Sequence, residues 1–196
     1  MEFEVEALWI VALGEEIVSL QYLKGTTNVD LVYYRASTKS SSIVGFVNSD
    51  FTGDLDKKRF LIGYVFTLFG CAISWEVTLQ STIVLSTIEK KYMAATAAMK
   101  VAIWLKGLVG DLGLQQDDVV VFFDCQRTIH LTKNQMYHEI TKHIDVKCHF
   151  ISEIVSQGTI VVRKVATLDN PTDMMTELVL LDKFKYCLDL IGVNNL

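Results

Sequence analysis

Val119, Val120, Val121, Phe122 and Phe123 form an unbroken run of β-branched and aromatic residues, stopped by Asp117 and Asp118 on one side and by Asp124 on the other. A run of this kind suits a strand covered on both faces, because a half-exposed strand alternates apolar with polar side chains. It therefore calls for a sheet with helices packed on either side, and the flanking sequence offers both.

Ahead of the run, Ile43 to Asp50, Leu61 to Phe69 and Cys71 to Val77 read as strands. A tight turn at Gly70 joins the last two, and a further extended stretch is expected near Thr82 to Leu85. Asp54, Asp56 and Lys57 fill a polar connection, so the segment is an antiparallel meander. Ser86 with Glu89 three residues later is a capping box and opens a helix from Thr87 to about Val109. Its apolar face is read as Met93, Ala97, Val101, Trp104, Leu105 and Leu108, and Trp75 and Trp104 are read as core. Beyond the run, helices are expected over Gln126 to Thr132 and Ile140 to Ser156, a strand over Thr159 to Val165, and a helical tail from Asp169 to about Ile191, punctuated near Pro171. Near the start, Ala7 to Leu23 reads as one helix closed by Lys24 and Gly25. The fold class is α/β, a mixed sheet flanked by helices.

With 196 residues, 51% of them hydrophobic, and a single proline, the chain suits one compact domain with at most a short arm. The net charge of −5 opposes tight binding to a polyanion. The basic groups Lys57, Lys58 and Arg59, or Lys142 and Lys147, are short enough to be ordinary solvated surface. The four cysteines, Cys71, Cys125, Cys148 and Cys187, have no CxxC spacing, and the acidic start Met1, Glu2, Phe3, Glu4 is unlike a signal peptide. An intracellular site, cytoplasmic or nuclear, is expected. The uncharged stretch Phe60 to Trp75 is shorter than the ~20 residues that span a bilayer, so a buried hairpin is expected and no membrane partner. His138, His143, Cys148 and His149 do not fall at spacings that converge on zinc, and no nucleophile-elbow motif supports a Ser-His-Asp hydrolase.

Several blocks resemble the ribonuclease H domain of copia-type retrotransposon Pol polyproteins. Gln21 to Thr27 (Gln-Tyr-Leu-Lys-Gly-Thr-Thr) is similar to the family's Arg-Tyr-Leu-Lys-Gly-Thr stretch between reverse transcriptase and ribonuclease H. Gly63-Tyr64-Val65-Phe66 and Ala72-Ile73-Ser74-Trp75 resemble its Gly-Tyr-Val-Phe and Ala-Ile-Ser-Trp strands. Gln80-Ser81-Thr82, then Leu85 to Glu89 with Tyr92, Met93 and Ala94, resemble its Gln-Ser-Thr and Ser-Thr-x-Glu-Ala-Glu-Tyr-Met-Ala block. Thr141 to Val146 with His149, Phe150 and Ile151 resembles Thr-Lys-His-Ile-Asp-Val-x-x-His-Phe. The blocks run collinearly from about residue 20 to residue 192.

The resemblance implies a ribonuclease H-like fold with a mixed five-stranded sheet, residues 1–40 being the tail of the reverse-transcriptase connection and 41–196 the domain. It also implies a chemistry: cleavage of the RNA strand of an RNA·DNA hybrid by paired Mg²⁺ or Mn²⁺ ions held by four carboxylates, with a reverse-transcriptase domain as neighbour. Carried over position by position, the third and fourth carboxylates fall on Asp124 and Asp173. The first falls on Asn48 and the second on Lys91, so two of the four are replaced. Lys91 reverses the charge, and the resemblance leads us to expect it inside the site, paired with Asp124 and Asp173. Asp50, about 6.6 Å further along the strand from Asn48, is the candidate substitute ligand. An impaired ribonuclease H is expected, with a non-catalytic nucleic-acid binder or a residual structural domain as the alternatives.

Overall fold

The computed structural model describes residues 29–31, 42–51, 60–80, 87–114, 118–126, 128–129 and 142–195, with backbone alone at 29–31, 51, 142–148 and 194–195. In chain order its elements are β1 (Val29–Leu31), β2 (Ile43–Phe51), β3 (Phe60–Leu68), β4 (Cys71–Gln80), α1 (Thr87–Asp111), β5 (Val119–Phe123), α2 (Lys142–Ser156), β6 (Val161–Lys164), α3 (Asp173–Thr176), α4 (Leu181–Leu190) and β7 (Val193–Asn195). A 3-10 turn, Thr167–Asp169, precedes α3.

Strands β2 to β6 form one mixed sheet in the order β4-β3-β2-β5-β6, and β1 pairs with β7 in a separate two-stranded sheet. The meander β2-β3-β4 is antiparallel, while β5 joins β2 and β6 joins β5 in parallel. The hairpin between β3 and β4 turns on Phe69 and Gly70, with φ of 55° and 76°. Two central residues with positive φ match the twist of the flanking strands, so the uncharged stretch is a hairpin, as expected. The strand at Val119–Phe123 is interior to the sheet, between β2 and β6, and its valines are buried.

The sheet has a core on each side. Ile43, Val47, Phe66, Val121 and Val162 pack with Tyr92, Ala95, Met99, Ala102 and Leu105 of α1 and Ile151 of α2. Val65 and Ala72 pack on the opposite side with Met174, Met175, Phe184 and Cys187 of α3 and α4. Two glycines make this closeness possible. A Cβ at Gly45 would strike the Phe66 ring, and one at Gly63 would lie 2.7 Å from Thr176 Cγ2. Gly63 thus lets α3 settle on β3.

The orientation of α1 departs from the periodicity reading. Trp104 is 62% exposed and Leu108 40%, whereas Ala95, Ala98, Met99 and Ala102 are fully buried. At about 100° per residue, Trp104 lies roughly 140° around the axis from Met99. The small alanines let the helix approach the sheet, and that contact outweighs the burial of one large ring. Trp75 is also exposed, at 55%, because it stands on the outermost strand. Length and composition alone would let α1 cross a membrane, but its Tyr92–Val109 side is packed on the sheet. The expected helix over Ala7 to Leu23, the Asp54 to Lys57 connection, the stretch Thr82 to Leu85, the Ser86 cap and most of the helix after Gln126 lie outside the described residues, as do His138 and the side chains of His143 and Cys148.

The two faces of α1 should respond differently to truncation. Met99→Ala is expected to cost about 2–5 kcal/mol in urea unfolding, and Trp104→Ala less than about 0.5 kcal/mol. Equal losses would mean the helix is rotated from the position described.

Candidate functional site

The parallel register of β2 and β5 pairs Val47 with Phe123. The next residue on each strand is Asn48 and Asp124, so these two stand side by side where the strands end. The second turn of α1 brings Lys91 across them, and Asn48, Lys91 and Asp124 line one cavity together with Val47, Ser49, Ala94, Phe123 and Thr128. Three of the four positions singled out in the sequence therefore meet at one place. The Ser49 and Thr128 hydroxyls in the same lining are buried and have no partner among the described residues.

Asp173 reaches this place from the other side of the sheet. It opens α3 and is fully buried. Asn170 anchors the approach: its Nδ2 donates to the Val47 carbonyl at 3.3 Å, and its Oδ1 accepts from the Thr172 hydroxyl at 2.6 Å. Because Asn48 pairs with Gly63, the bare glycine under α3 brings Asp173 and Thr176 directly onto Asn48. Asn48 Nδ2 donates to Asp173 Oδ1 at 2.8 Å and to Thr176 Oγ1 at 3.1 Å. Asn48 Oδ1 accepts from the Ser49 amide at 2.8 Å.

Lysines hold the carboxylates. Lys91 Nζ lies 2.7 and 2.6 Å from the two oxygens of Asp124. Lys183 of α4 donates to Asp173 Oδ2 at 2.6 Å. Lys90, 3% exposed, reaches Asp50 Oδ1 at 3.0 Å. The expected pairing of Lys91 with both aspartates is thus divided: Lys91 takes Asp124, and Lys183 takes Asp173. The division follows from the layers, since Lys91 and Asp124 meet beside α1 while Lys183 projects from α4 on the face that carries Asp173. Asp50 is drawn to Lys90 and is not part of the cavity lining.

Sequence reading missed Lys183, Asn170, Thr176, Glu177 and Lys90. Lys90 alone carried a signal, a charged residue where the family block has alanine. Burial pushes the Asp173 carboxyl up, with Lys183 partly offsetting it and the Asp124 charge adding to it. Burial and then the Asp173 charge push Glu177 up as well. Lys183 is raised despite its burial, because Asp173 and Glu177 favour its charged form.

No protein-family model matches the chain. It is 43% identical over 176 residues, 90% of its length, to the retrovirus-related Pol polyprotein from transposon TNT 1-94 of Nicotiana tabacum, and 29% identical over 89% of its length to that from transposon RE1 of Arabidopsis thaliana. The chain spans 13% and 12% of the lengths of these relatives. Among solved structures, LC11-RNase H1 isolated from compost superposes with a TM-score of 0.54 at 15% identity, over 69% of this chain and 93% of that one. The chain has a ribonuclease H-like fold and is similar to a segment of retrotransposon Pol polyproteins.

The fold family implies divalent metal, and the residues of this ribonuclease H-like domain do not fit it. Both oxygens of Asp124 face an ammonium, and both oxygens of Asp173 are taken by Asn48 and Lys183. The rest of the cavity lining is neutral or apolar, and no cluster of three or more potential metal ligands occurs among the described residues. A hard cation needs several free carboxylate oxygens, whereas this site supplies its own positive charge.

The raised carboxyls have a measurable sign. The folded domain holds protons at Asp173 and Glu177 at pH values where the unfolded chain has released them. Their contribution to stability therefore rises as pH falls from neutral into the raised range, and levels off below the ordinary carboxylate values. Asp173→Asn with Glu177→Gln is expected to flatten that part of the urea-midpoint profile, above the ordinary carboxylate range. An unchanged slope would remove these two groups from the account.

Proposed function

We propose that this domain keeps the ribonuclease H frame of a copia-type Pol polyprotein without cleaving the RNA strand of an RNA·DNA hybrid. The observation that carries the proposal is Lys91, whose ammonium sits within 2.7 Å of both Asp124 oxygens at the position of a carboxylate in the resembling family. At an effective dielectric of ~20, a unit charge at 4 Å is worth ~4 kcal/mol. Replacing an anion by a cation therefore weighs heavily against a divalent ion at this point. Asn48 removes a second negative charge and spends its amide on Asp173. The net charge of −5 also favours weak contact with a hybrid. In this reading the domain works inside the cell beside a reverse-transcriptase domain, as a structural part rather than a nuclease.

The test is hydrolysis of a labelled RNA·DNA hybrid with Mg²⁺ or Mn²⁺. The chain is expected to give background rates, and Asn48→Asp with Lys91→Glu to give metal-dependent cleavage that neither single change produces. A readout independent of activity is the melting temperature. Adding 10 mM Mg²⁺ or EDTA should leave the chain unmoved, while Mg²⁺ should raise the double variant by about 3–8 °C. Cleavage by the unaltered chain would overturn the proposal.

A further inference from the structure

The outward side of α1 carries a stripe that the core does not use. At about 100° per residue, Lys100, Trp104, Gly107 and Asp111 fall within an arc of roughly 60°, with Leu108 beside them. All five are exposed, Trp104 at 62% and Leu108 at 40%.

Two of these residues are unfavourable where they stand. Gly107 lies inside the helix, where glycine is a poor helix former. A Cβ there would meet nothing within 4 Å, so no close approach among the described residues calls for a glycine. Asp111 sets a negative charge at the carbonyl end of α1, and the last turn has no basic residue to offset it. Neither Asp111 nor Lys100 is ion-paired among the described residues.

We propose that this stripe packs against the same stripe of a second copy of this chain, the two α1 helices running antiparallel about a twofold axis between Leu105 and Lys106. In that register Trp104 of each copy fills the space above Gly107 of the other, beside Leu108. Lys100 of each stands opposite Asp111 of the other and brings a cation to the helix end that lacks one. Parallel helices would set Lys100 against Lys100 and Asp111 against Asp111. An antiparallel axis at Trp104 would put Asp111 opposite Ala97, and one between Gly107 and Leu108 would put it opposite Trp104. The proposed register matches both charges and sets the largest side chain over the smallest, and it closes on itself as a C2 dimer. The choice of a second copy rests on that complementarity, since one chain carries both unpaired charges and both the ring and the gap.

The experiment is sedimentation of the full chain from micromolar to millimolar concentration. The interface is small, so monomer is expected at the low end and dimer at the high end. Trp104→Ala should weaken the dimer roughly tenfold or more with unchanged circular dichroism, while Trp75→Lys on β4 leaves it intact. Gly107→Leu should raise the melting temperature of the dilute chain by about 2–4 °C and yet weaken the dimer, opposite effects that a role confined to the monomer would not give. Lys100→Asp and Asp111→Lys should each abolish the dimer alone and, mixed in equal amounts, associate in a salt-sensitive way. A chain monomeric throughout, assemblies larger than two, a dimer lost with Trp75→Lys, or one indifferent to Trp104→Ala and Gly107→Leu would overturn the proposal. Charge variants that stay apart on mixing would overturn the register.

Discussion

The parallel pairing of β2 with β5 is the constraint from which the rest follows. It joins two strands buried by helices on both sides, and it sets Val47 against Phe123. Because the register is locked by side chains that cannot change faces without exposing the core, the residues after that pair have no freedom to separate. Asn48 and Asp124 must meet at the strand ends, where open parallel sheets usually carry their ligands. Gly63, beside Asn48 on β3, then admits α3, and with it Asp173. The site is a by-product of packing, and it persists whatever chemistry its residues retain.

That persistence creates an electrostatic problem. Asp173 is fully buried and Asp124 partly so, and buried carboxylates without counter-charge are costly. The chain resolves it internally. Lys91 and Lys183 each place an ammonium within 2.7 Å of one of them, and Lys90, almost wholly buried, lies 3.0 Å from the more exposed Asp50. Pairs of this kind contribute little beyond offsetting their own desolvation, so their role is to make the buried acids tolerable without an ion from outside.

Much of this was legible in the sequence. The meander, the long helix and the doubly buried strand at Val119–Phe123 each carry a local pattern, and their order leads to the mixed sheet. The convergence of Asn48, Lys91 and Asp124 came from family register, since no local pattern joins residues so far apart. Two things escaped. The face of α1 was misjudged at Trp104 and Leu108, which are exposed, while Leu105 is buried and Met93, Ala97 and Val101 pack partly against the core; only contact with the sheet shows that Ala95, Met99 and Ala102 lie at its centre. Lys183 was invisible because an exposed-looking lysine in an amphipathic helix gives no sign that a buried aspartate waits ten residues upstream.

The two replaced positions are coupled through charge. With an aspartate at position 48, an acceptor would stand where Asn48 Nδ2 now lies 2.8 Å from Asp173 Oδ1. Two carboxylates at that distance cannot both ionise without a cation between them. Asn48 turns the repulsive contact into a hydrogen bond. Lys91 meets the corresponding need at Asp124, where a glutamate would add an anion to an anion. Asn48 and Lys91 therefore each satisfy a buried aspartate without a divalent ion. A single change to an acid at position 48 or 91 would leave that acid facing Asp173 or Asp124 without a cation between them.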